Sequence, residues 1–166
     1  MDISMLVTVG TSVVAVVGTL AGTLLAGWMH SRSARAAQAV ADAKARRSEV
    51  LSTVTALVQA LGDHRRAQTV RARERDRVLS LAGDVAAADG QYTPAVHQTR
   101  SAITGPSITL RIICPELAEA AARAVGATFA IRGAESIADV EHLRLQSKLA
   151  CDALVVEAGR ILARDA

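Results

Sequence analysis

The chain has 166 residues and a formal net charge of +3, and 51% of its residues are hydrophobic although only 2% are aromatic. Its two cysteines, Cys114 and Cys151, are too few for a disulfide scaffold or a four-thiolate zinc site. So few aromatic residues also exclude a base-stacking platform for single-stranded nucleic acid. The apolar excess consists of Ala, Val and Leu, which favours helices over sheets.

The first predicted element is a transmembrane helix. No charged residue occurs from Ile3 to Met29, and about 20 apolar residues are enough to cross the hydrocarbon core of a bilayer. A cleaved signal peptide is disfavoured, because the only charge before the run is Asp2 and the run is too long for the apolar region of such a peptide. The sequence therefore predicts a retained, single-pass anchor over residues 1–29.

The residues around this run predict its orientation and its contacts. Arginine and lysine follow the run closely, so the positive-inside rule places the C-terminal part in the cytoplasm and the anchor in the inner (cytoplasmic) membrane. Gly18, Gly22 and Ala26 recur every four residues, and small residues at this spacing let two helices approach closely in lipid. We expect the membrane helices to self-associate through these three residues, giving a homo-oligomer.

Residues 30–89 are predicted to form a long basic helix next to the membrane. Residues 30–77 carry a net charge of +6. Small or apolar residues recur in steps of three, four and seven, as in a coiled coil. These residues are Ala36, Val40, Ala43, Val50, Val54, Leu57 and Leu61. The stripe weakens across His64–Arg77. Because of the stripe, the anchor is expected to continue into a long helix with one apolar side.

The segment His64–Arg77 is the strongest local feature, with six arginines. Four of them come closest to sharing one helix face and are the predicted phosphate-binding residues: Arg65, Arg66, Arg73 and Arg77. Their ligand would be the phosphate of DNA or of an anionic lipid headgroup. The alternative is a solvated helix with local ion pairs, each of which stabilises the helix only slightly. The sequence leaves both interpretations open.

Residues 90–166 are predicted to complete a helical bundle. The segment Gly90–Pro94 ends a loop over residues 83–93, and a second helix follows from Pro94 to Ile113, kinked or split at Gly105–Pro106. A third helix begins at Pro115, and its inner face is Leu117, Ala121, Ala124, Val125 and Thr128. A fourth runs from Ser136 to Ala163, and its stripe is Val140, Leu143, Ser147, Ala150, Leu154, Ala158 and Ile161. The predicted fold is therefore all-α: a transmembrane helix that continues toward a cytoplasmic antiparallel bundle.

The sequence offers no constellation that predicts catalysis. Asp139 and His142 have the spacing of half a di-iron motif, but the sequence contains no second pair of this kind. Cys114 and Cys151 are flanked by apolar residues, which is typical of core cysteines and not of nucleophiles. Glycine-rich phosphate loops and serine-nucleophile motifs are also missing from the sequence. We therefore predict no enzyme activity, no metal and no cofactor.

Several elements together resemble a known family. They are VVGTLAGTLLAG (Val16–Gly27), HRRA (His64–Ala67), TRSAITGP (Thr99–Pro106) and PELAEAA (Pro115–Ala121). Over nearly its whole length the chain is similar to the KilB-like proteins of actinomycete plasmids and integrative elements. The resemblance implies an accessory role in the spread of conjugative plasmids along the mycelium, with other spread proteins as partners. It implies no catalytic residue.

Two functions stay open from the sequence. The leading hypothesis is a membrane-anchored helical scaffold that self-associates. The alternative is a membrane-tethered module that binds DNA or anionic lipid through residues 64–77. A pore former is disfavoured, because the run Ile3–Met29 contains no charged residue to line a hydrophilic lumen.

Overall fold

The computed structural model describes residues 3–164, and it describes side chains for Arg32 and for residues 34–164. Within these residues the chain forms four α-helices: α1 (Ile3–Ser80), α2 (Val85–Ile113), α3 (Ala118–Ala130) and α4 (Ile137–Arg164). Short 3-10 helices, Pro115–Leu117 and Ile131–Gly133, flank α3. The described residues contain no strand, which confirms the predicted all-α fold class.

The predicted membrane segment lies outside the part of the chain whose side chains are described. Among the residues whose side chains the structure describes, no helix is long and apolar enough to cross a bilayer. The run Ile3–Met29 falls outside those residues, and so do the predicted helix-association residues Gly18, Gly22 and Ala26. The anchor and its small-residue contacts therefore stay predictions.

The chain divides into two compact units, Met1–Ala45 and Arg46–Ala166. In the first unit every described side chain is exposed, including Ala36, Val40 and Ala43 of the predicted stripe. In the second unit the stripe is buried in the core, at Val50, Val54, Leu57 and Leu61. One helix, α1, thus supplies both an exposed apolar stripe and a buried one.

Side-chain contacts between helices define the topology of the second unit. These contacts are His64 with Thr99, Arg71 with Asp89, Arg65 with Ser147, Arg73 with Glu141, and Thr128 with Ser147. Residues late in α1 meet residues early in α2 and early in α4, so both helices run antiparallel to α1. The bundle is therefore up-down-up-down, with α3 beside α4, as in antiparallel bundles with short connections.

The core consists of leucine side chains and many small residues. Five leucines are completely buried, Leu57, Leu61, Leu110, Leu117 and Leu154. Around them, α3 contributes buried alanines, and α4 contributes Ser147, Cys151 and Ala158. The predicted inner faces of both helices are confirmed, with Val125, Leu143 and Ala150 only partly buried. Small residues let the helices pack closely, which explains how the chain forms a core with so few aromatic residues.

The predicted break at Gly90–Pro94 is wrong, because these residues lie inside α2. The chain turns earlier, where the N–H of Gly83 donates to the carbonyl of Val78 at 2.9 Å and the N–H of Ala82 to that of Leu79 at 3.1 Å. This pair of bonds is the Schellman motif, which requires a left-handed residue. Ala82 takes that conformation, with φ of 51°, although glycine adopts it at lower cost.

Asp84 explains why α2 begins so early. Its Oδ1 accepts hydrogen bonds from the N–H groups of Ala86 (2.9 Å) and Ala87 (3.1 Å), so it caps the helix at Val85. The predicted split at Gly105–Pro106 also does not occur, and α2 continues unbroken to Ile113. Each interior proline removes a backbone hydrogen bond. Packing of the buried residues of α2 against the core outweighs this loss.

Candidate functional site

The inward-facing seam of α1 changes in chemistry along its length. After Leu61, steps of three and four residues lead to His64, Gln68, Arg71 and Arg75. His64 and Gln68 are buried, with 1% and 7% of their surface exposed, and Arg71 is partly buried. The seam is therefore apolar, then polar, then cationic.

His64 sits in a buried hydrogen-bond network that fits its neutral form. Its Nδ1 lies 3.0 Å from Thr99 Oγ1, and its Nε2 lies 2.6 Å from Gln68 Nε2. The Thr99 hydroxyl donates to backbone carbonyls of α2. With the Gln68 amide oriented so that its Nε2 donates to His64, the proton of the neutral ring lies on Nδ1. Burial lowers the pKa of His64, the charge of Arg100 lowers it further, and a hydrogen bond with the Val96 carbonyl opposes both.

An aromatic and a cationic side chain pack next to this hydrogen-bond network. The ring of Phe129 on α3 lies edge-to-face with the His64 ring, with centroids 5.4 Å apart. The guanidinium of Arg100 stacks over the same Phe129 ring at 4.9 Å. Edge-to-face rings and a cation over an aromatic face are both favourable arrangements. Three helices therefore meet around His64.

Gln68 carries a buried oxygen without a partner. Its Nε2 is used by His64, and its Oε1 has no hydrogen-bond partner among the described residues. Turning the amide over would only exchange the two atoms and leave the nitrogen unpaired. An unpaired buried acceptor costs about 1–3 kcal/mol. Gln68 also lines a cavity.

This cavity has a volume of about 280 Å³ and lies among the C-terminal part of α1, the first half of α2 and the connection from α3 to α4. Val96, Ile131 and Val140 provide apolar lining. Its charged lining is Arg71, Arg75, Asp76, Asp89, Arg132 and Glu135. The described lining contains no cysteine or histidine.

One ion pair connects two walls of the cavity. Arg71 Nε donates to Asp89 Oδ1 at 3.0 Å, which joins α1 to α2. This hydrogen bond holds the pKa of Asp89 below its usual value; burial opposes the shift, and the charges of Arg71 and Arg75 favour it. Because its two partners lie on different helices, this ion pair joins α1 to α2 at one side of the cavity.

The other charges of the cavity have no direct partners. Arg75, Asp76, Arg132 and Glu135 make no side-chain hydrogen bond or ion pair with any residue whose side chain is described. Two cations and two anions are therefore available at one opening. The six charged lining residues include three of each sign, so the formal charge of the lining is zero.

None of the four predicted phosphate-binding arginines lines this cavity. Arg65 is directed into the bundle, where its Nη1 donates to Ser147 Oγ at 3.2 Å and lies 3.9 Å from Cys151 Sγ. The Ser147 hydroxyl is 2.7 Å from Thr128 Oγ1, and Thr128 donates to the carbonyl of Ala124. Arg65 therefore supports a buried hydroxyl pair between α3 and α4.

The remaining three arginines are exposed and each contacts a carboxylate. Arg66 pairs with Asp63, Arg77 with Glu74, and Arg73 reaches Glu141 on α4 at 2.6 Å. The first two pairs lie within α1, and the third connects α1 to α4. Phosphate binding by Arg65, Arg66, Arg73 and Arg77 stays a prediction.

The other residues considered for chemistry have structural roles. Asp139 caps α4: its Oδ2 accepts from the N–H of Ser136 at 3.1 Å, while the N–H of Asp139 donates to Ser136 Oγ at 3.1 Å. Cys114 and Cys151 are buried free thiols, and burial raises the pKa of both. In the described part of the chain, no three His, Cys, Asp or Glu residues are arranged to hold a metal ion.

The cavity was not predicted from the sequence, although part of its signal is present there. The steps of the α1 stripe lead from Leu61 directly to Gln68, Arg71 and Arg75, so the stripe continues as polar and charged residues. Arg132 and Glu135 carry no such signal, because only the chain reversal between α3 and α4 brings them to α1.

Fold and site together describe an all-α bundle with a cavity lined by charged residues. A family model described as KilB plasmid transfer protein matches residues 51–162. Protein KilB of Streptomyces lividans is 39% identical to this chain over 150 residues, which cover 90% of the chain and 96% of that protein. No solved structure matches the chain. The chain belongs to the KilB plasmid transfer protein family, which confirms the resemblance seen in its sequence.

Proposed function

We propose that the chain is a membrane-anchored helical scaffold that serves plasmid transfer by self-association and by binding other transfer proteins. Membership of the KilB plasmid transfer protein family supports the role in transfer. The uncharged run Ile3–Met29 supports the anchor, and the basic residues after it support a cytoplasmic C-terminal part at the inner membrane.

The exposed part of the α1 stripe is the observation that carries self-association. Residues 34–49 are all exposed, and 70% of the surface of Val40 is accessible. Together with Ala36 and Ala43 it forms a coiled-coil spacing that no described residue covers. A second copy of α1 supplies the missing partner helix, because such stripes pack against each other.

The charges beside this stripe explain why an anchor is needed for the contact. Lys44, Arg46 and Arg47 would repel the same residues of a second copy, and Arg47 occupies a stripe position. Confinement to a membrane raises the effective concentration of copies and offsets this repulsion. Contacts between Gly18, Gly22 and Ala26 of two anchors would align the stripes.

The alternative, binding of DNA or anionic lipid through residues 64–77, has weaker support. Arg66, Arg73 and Arg77 already have carboxylate partners, and Arg65 is bonded to Ser147. A phosphate would have to compete with each of these groups. We therefore favour the scaffold.

The anchor is tested by removing residues 3–29. We expect the full chain to stay in the membrane pellet after washes with high salt and alkaline carbonate, and the shortened chain to be released into the supernatant. A C-terminal epitope tag should be digested by protease in inverted vesicles and protected in right-side-out ones. Extraction of the full chain by carbonate would disprove the anchor, and digestion only in right-side-out vesicles would reverse the orientation.

Self-association is tested by disulfide cross-linking in isolated membranes. Ala43→Cys places a thiol on the exposed stripe, and Ala45→Cys, two residues later, places one off it. Both positions are exposed, and the native cysteines are buried, so the unmodified chain measures the background. We expect dimers to form at least about fivefold faster at position 43, because stripe residues face the partner helix. Equal rates, or no dimer at either position, would reject this interface.

A further inference from the structure

We propose that the cavity at the end of the α1 seam binds a small zwitterion with an apolar side group, the chemistry of a free apolar α-amino acid. Its lining offers three features that such a ligand would satisfy together. They are unpaired charges of both signs, an unpaired buried acceptor and an apolar surface.

The charges select for a ligand that carries both signs. Arg75 and Arg132 can bind a carboxylate, and Asp76 and Glu135 can bind an ammonium group. The formal charge of the lining is zero, so a zwitterion adds no net charge to the site. All four side chains are exposed, so a ligand with one charge would pair with only two of them and leave the other two in contact with water, whereas a zwitterion pairs with both signs.

The orphaned oxygen of Gln68 selects for a hydrogen-bond donor. Gln68 is 7% exposed and its Oε1 has no partner among the described residues. An ammonium N–H that reached this oxygen would remove the desolvation penalty of an unpaired acceptor. The hydrogen bond from Gln68 Nε2 to His64 Nε2 holds the amide in place, so the acceptor is oriented before the ligand arrives.

The apolar lining and the volume limit the rest of the ligand. Leu79 lines the cavity and is 56% exposed, so a branched apolar group would cover it. Pockets for drug-sized ligands begin at about 300 Å³. At about 280 Å³ the cavity suits a molecule as small as an amino acid, and we expect a dissociation constant on the order of 1 mM for so few atoms.

The proposal is tested by titrating the full-length chain in detergent micelles with three probes, using saturation-transfer NMR. L-leucine carries both charges, leucinamide lacks the carboxylate, and N-acetyl-L-leucine lacks the ammonium group. We expect L-leucine to bind saturably and both analogues to bind about tenfold more weakly, because each loses its ion pairs with the two exposed side chains of one sign. Failure of L-leucine to saturate by about 50 mM, or equal binding of either analogue, would overturn the proposal.

Two variants, each of which removes one charged side chain, test which residue binds the carboxylate of the ligand and which binds its ammonium group. Arg132→Gln should weaken L-leucine binding about tenfold and remove its advantage over leucinamide, since the carboxylate loses its partner. Glu135→Gln should remove the advantage over N-acetyl-L-leucine instead. Both side chains are exposed and unpaired among the described residues, so these variants should keep the fold, as circular dichroism would show.

Arg123→Gln is the matched control for the variants. Arg123 is an exposed arginine on α3 that pairs with Glu119 and does not line the cavity. This change should leave the affinity for L-leucine unaltered. An equal loss of affinity in Arg123→Gln and Arg132→Gln would overturn the assignment of the site.

Discussion

Replacing Leu57 with alanine is expected to lower the free energy of unfolding by about 2–5 kcal/mol. Leu57 is completely buried in the apolar cluster that also contains Leu61, Leu110 and Leu154. Loss of its side chain removes apolar burial and leaves a cavity that the surrounding helices can fill only partly. Chemical denaturation of Arg46–Ala166, followed by far-ultraviolet circular dichroism, measures the effect.

Leu51→Ala provides the matched control for this experiment. Leu51 lies on the same helix, but 56% of its surface is exposed, so its replacement should change stability by no more than about 0.5 kcal/mol. The two variants remove the same atoms from α1, one set at a buried position and the other at an exposed position. Equal losses of stability would show that the buried side of α1 has been assigned incorrectly.

The second large effect is a loss of stability in mild acid. The pKa of His64 in the folded protein is lower than its ordinary value of 6.5, so below pH 6.5 the unfolded chain takes up a proton that the folded chain resists. Stability should therefore be highest above pH 6.5, fall as the pH drops toward the folded-state pKa, and level off below it. One proton limits the slope to about 1.4 kcal/mol per pH unit.

The geometry gives the reason for this direction. Burial disfavours the charged imidazolium most, and the new cation would lie near Arg100. Protonation of Nε2 would also require the Gln68 amide, only 2.6 Å away, to turn over. His64→Gln should flatten the dependence of unfolding free energy on pH between about 5 and 7, even though it lowers stability overall. His142→Gln changes an exposed histidine and should leave the dependence intact. An unchanged slope in His64→Gln would assign the effect to other groups.

The helices α3 and α4 could be predicted from sequence almost residue by residue. Ala121, Ala124 and Thr128 on α3 and Ser147 and Leu154 on α4 were expected on inner faces, and all are buried. The prediction works because helical spacing alone decides which side chains share a face. Pro115 and Gly133 mark the limits of α3 in the same local way.

The connection between α1 and α2 could not be placed from local signals. Glycine and proline at Gly90–Pro94 favour a break, because they cost about 1 and 3 kcal/mol inside a helix, yet α2 begins at Val85, where Asp84 caps it, and runs through them. The turn instead uses Ala82, which is an unusual residue for a left-handed conformation. Asp84 gave a helix-cap signal that the stronger glycine and proline pattern obscured.

The candidate site was beyond sequence analysis for a different reason. His64 and Arg65 read as part of a charged segment, yet they contact Thr99 and Ser147, which are 35 and 82 residues away. Spacing along one helix does not reveal which polar residues of another helix will meet it. The fold decides whether an arginine faces solvent, as Arg66 does, or a buried hydroxyl.

The buried hydroxyl pair of Thr128 and Ser147 has a consequence for how uniquely this bundle is assembled. Alanine, valine and leucine differ in size but are all apolar, so after a slip of α4 by one turn, about 5.4 Å, these side chains would still have apolar neighbours. Such a slip would separate Ser147 from Thr128 and Arg65 and leave buried polar groups unpaired. These polar contacts therefore favour a single alignment of α4 against α1 and α3. The apolar core residues alone would specify this alignment less strongly.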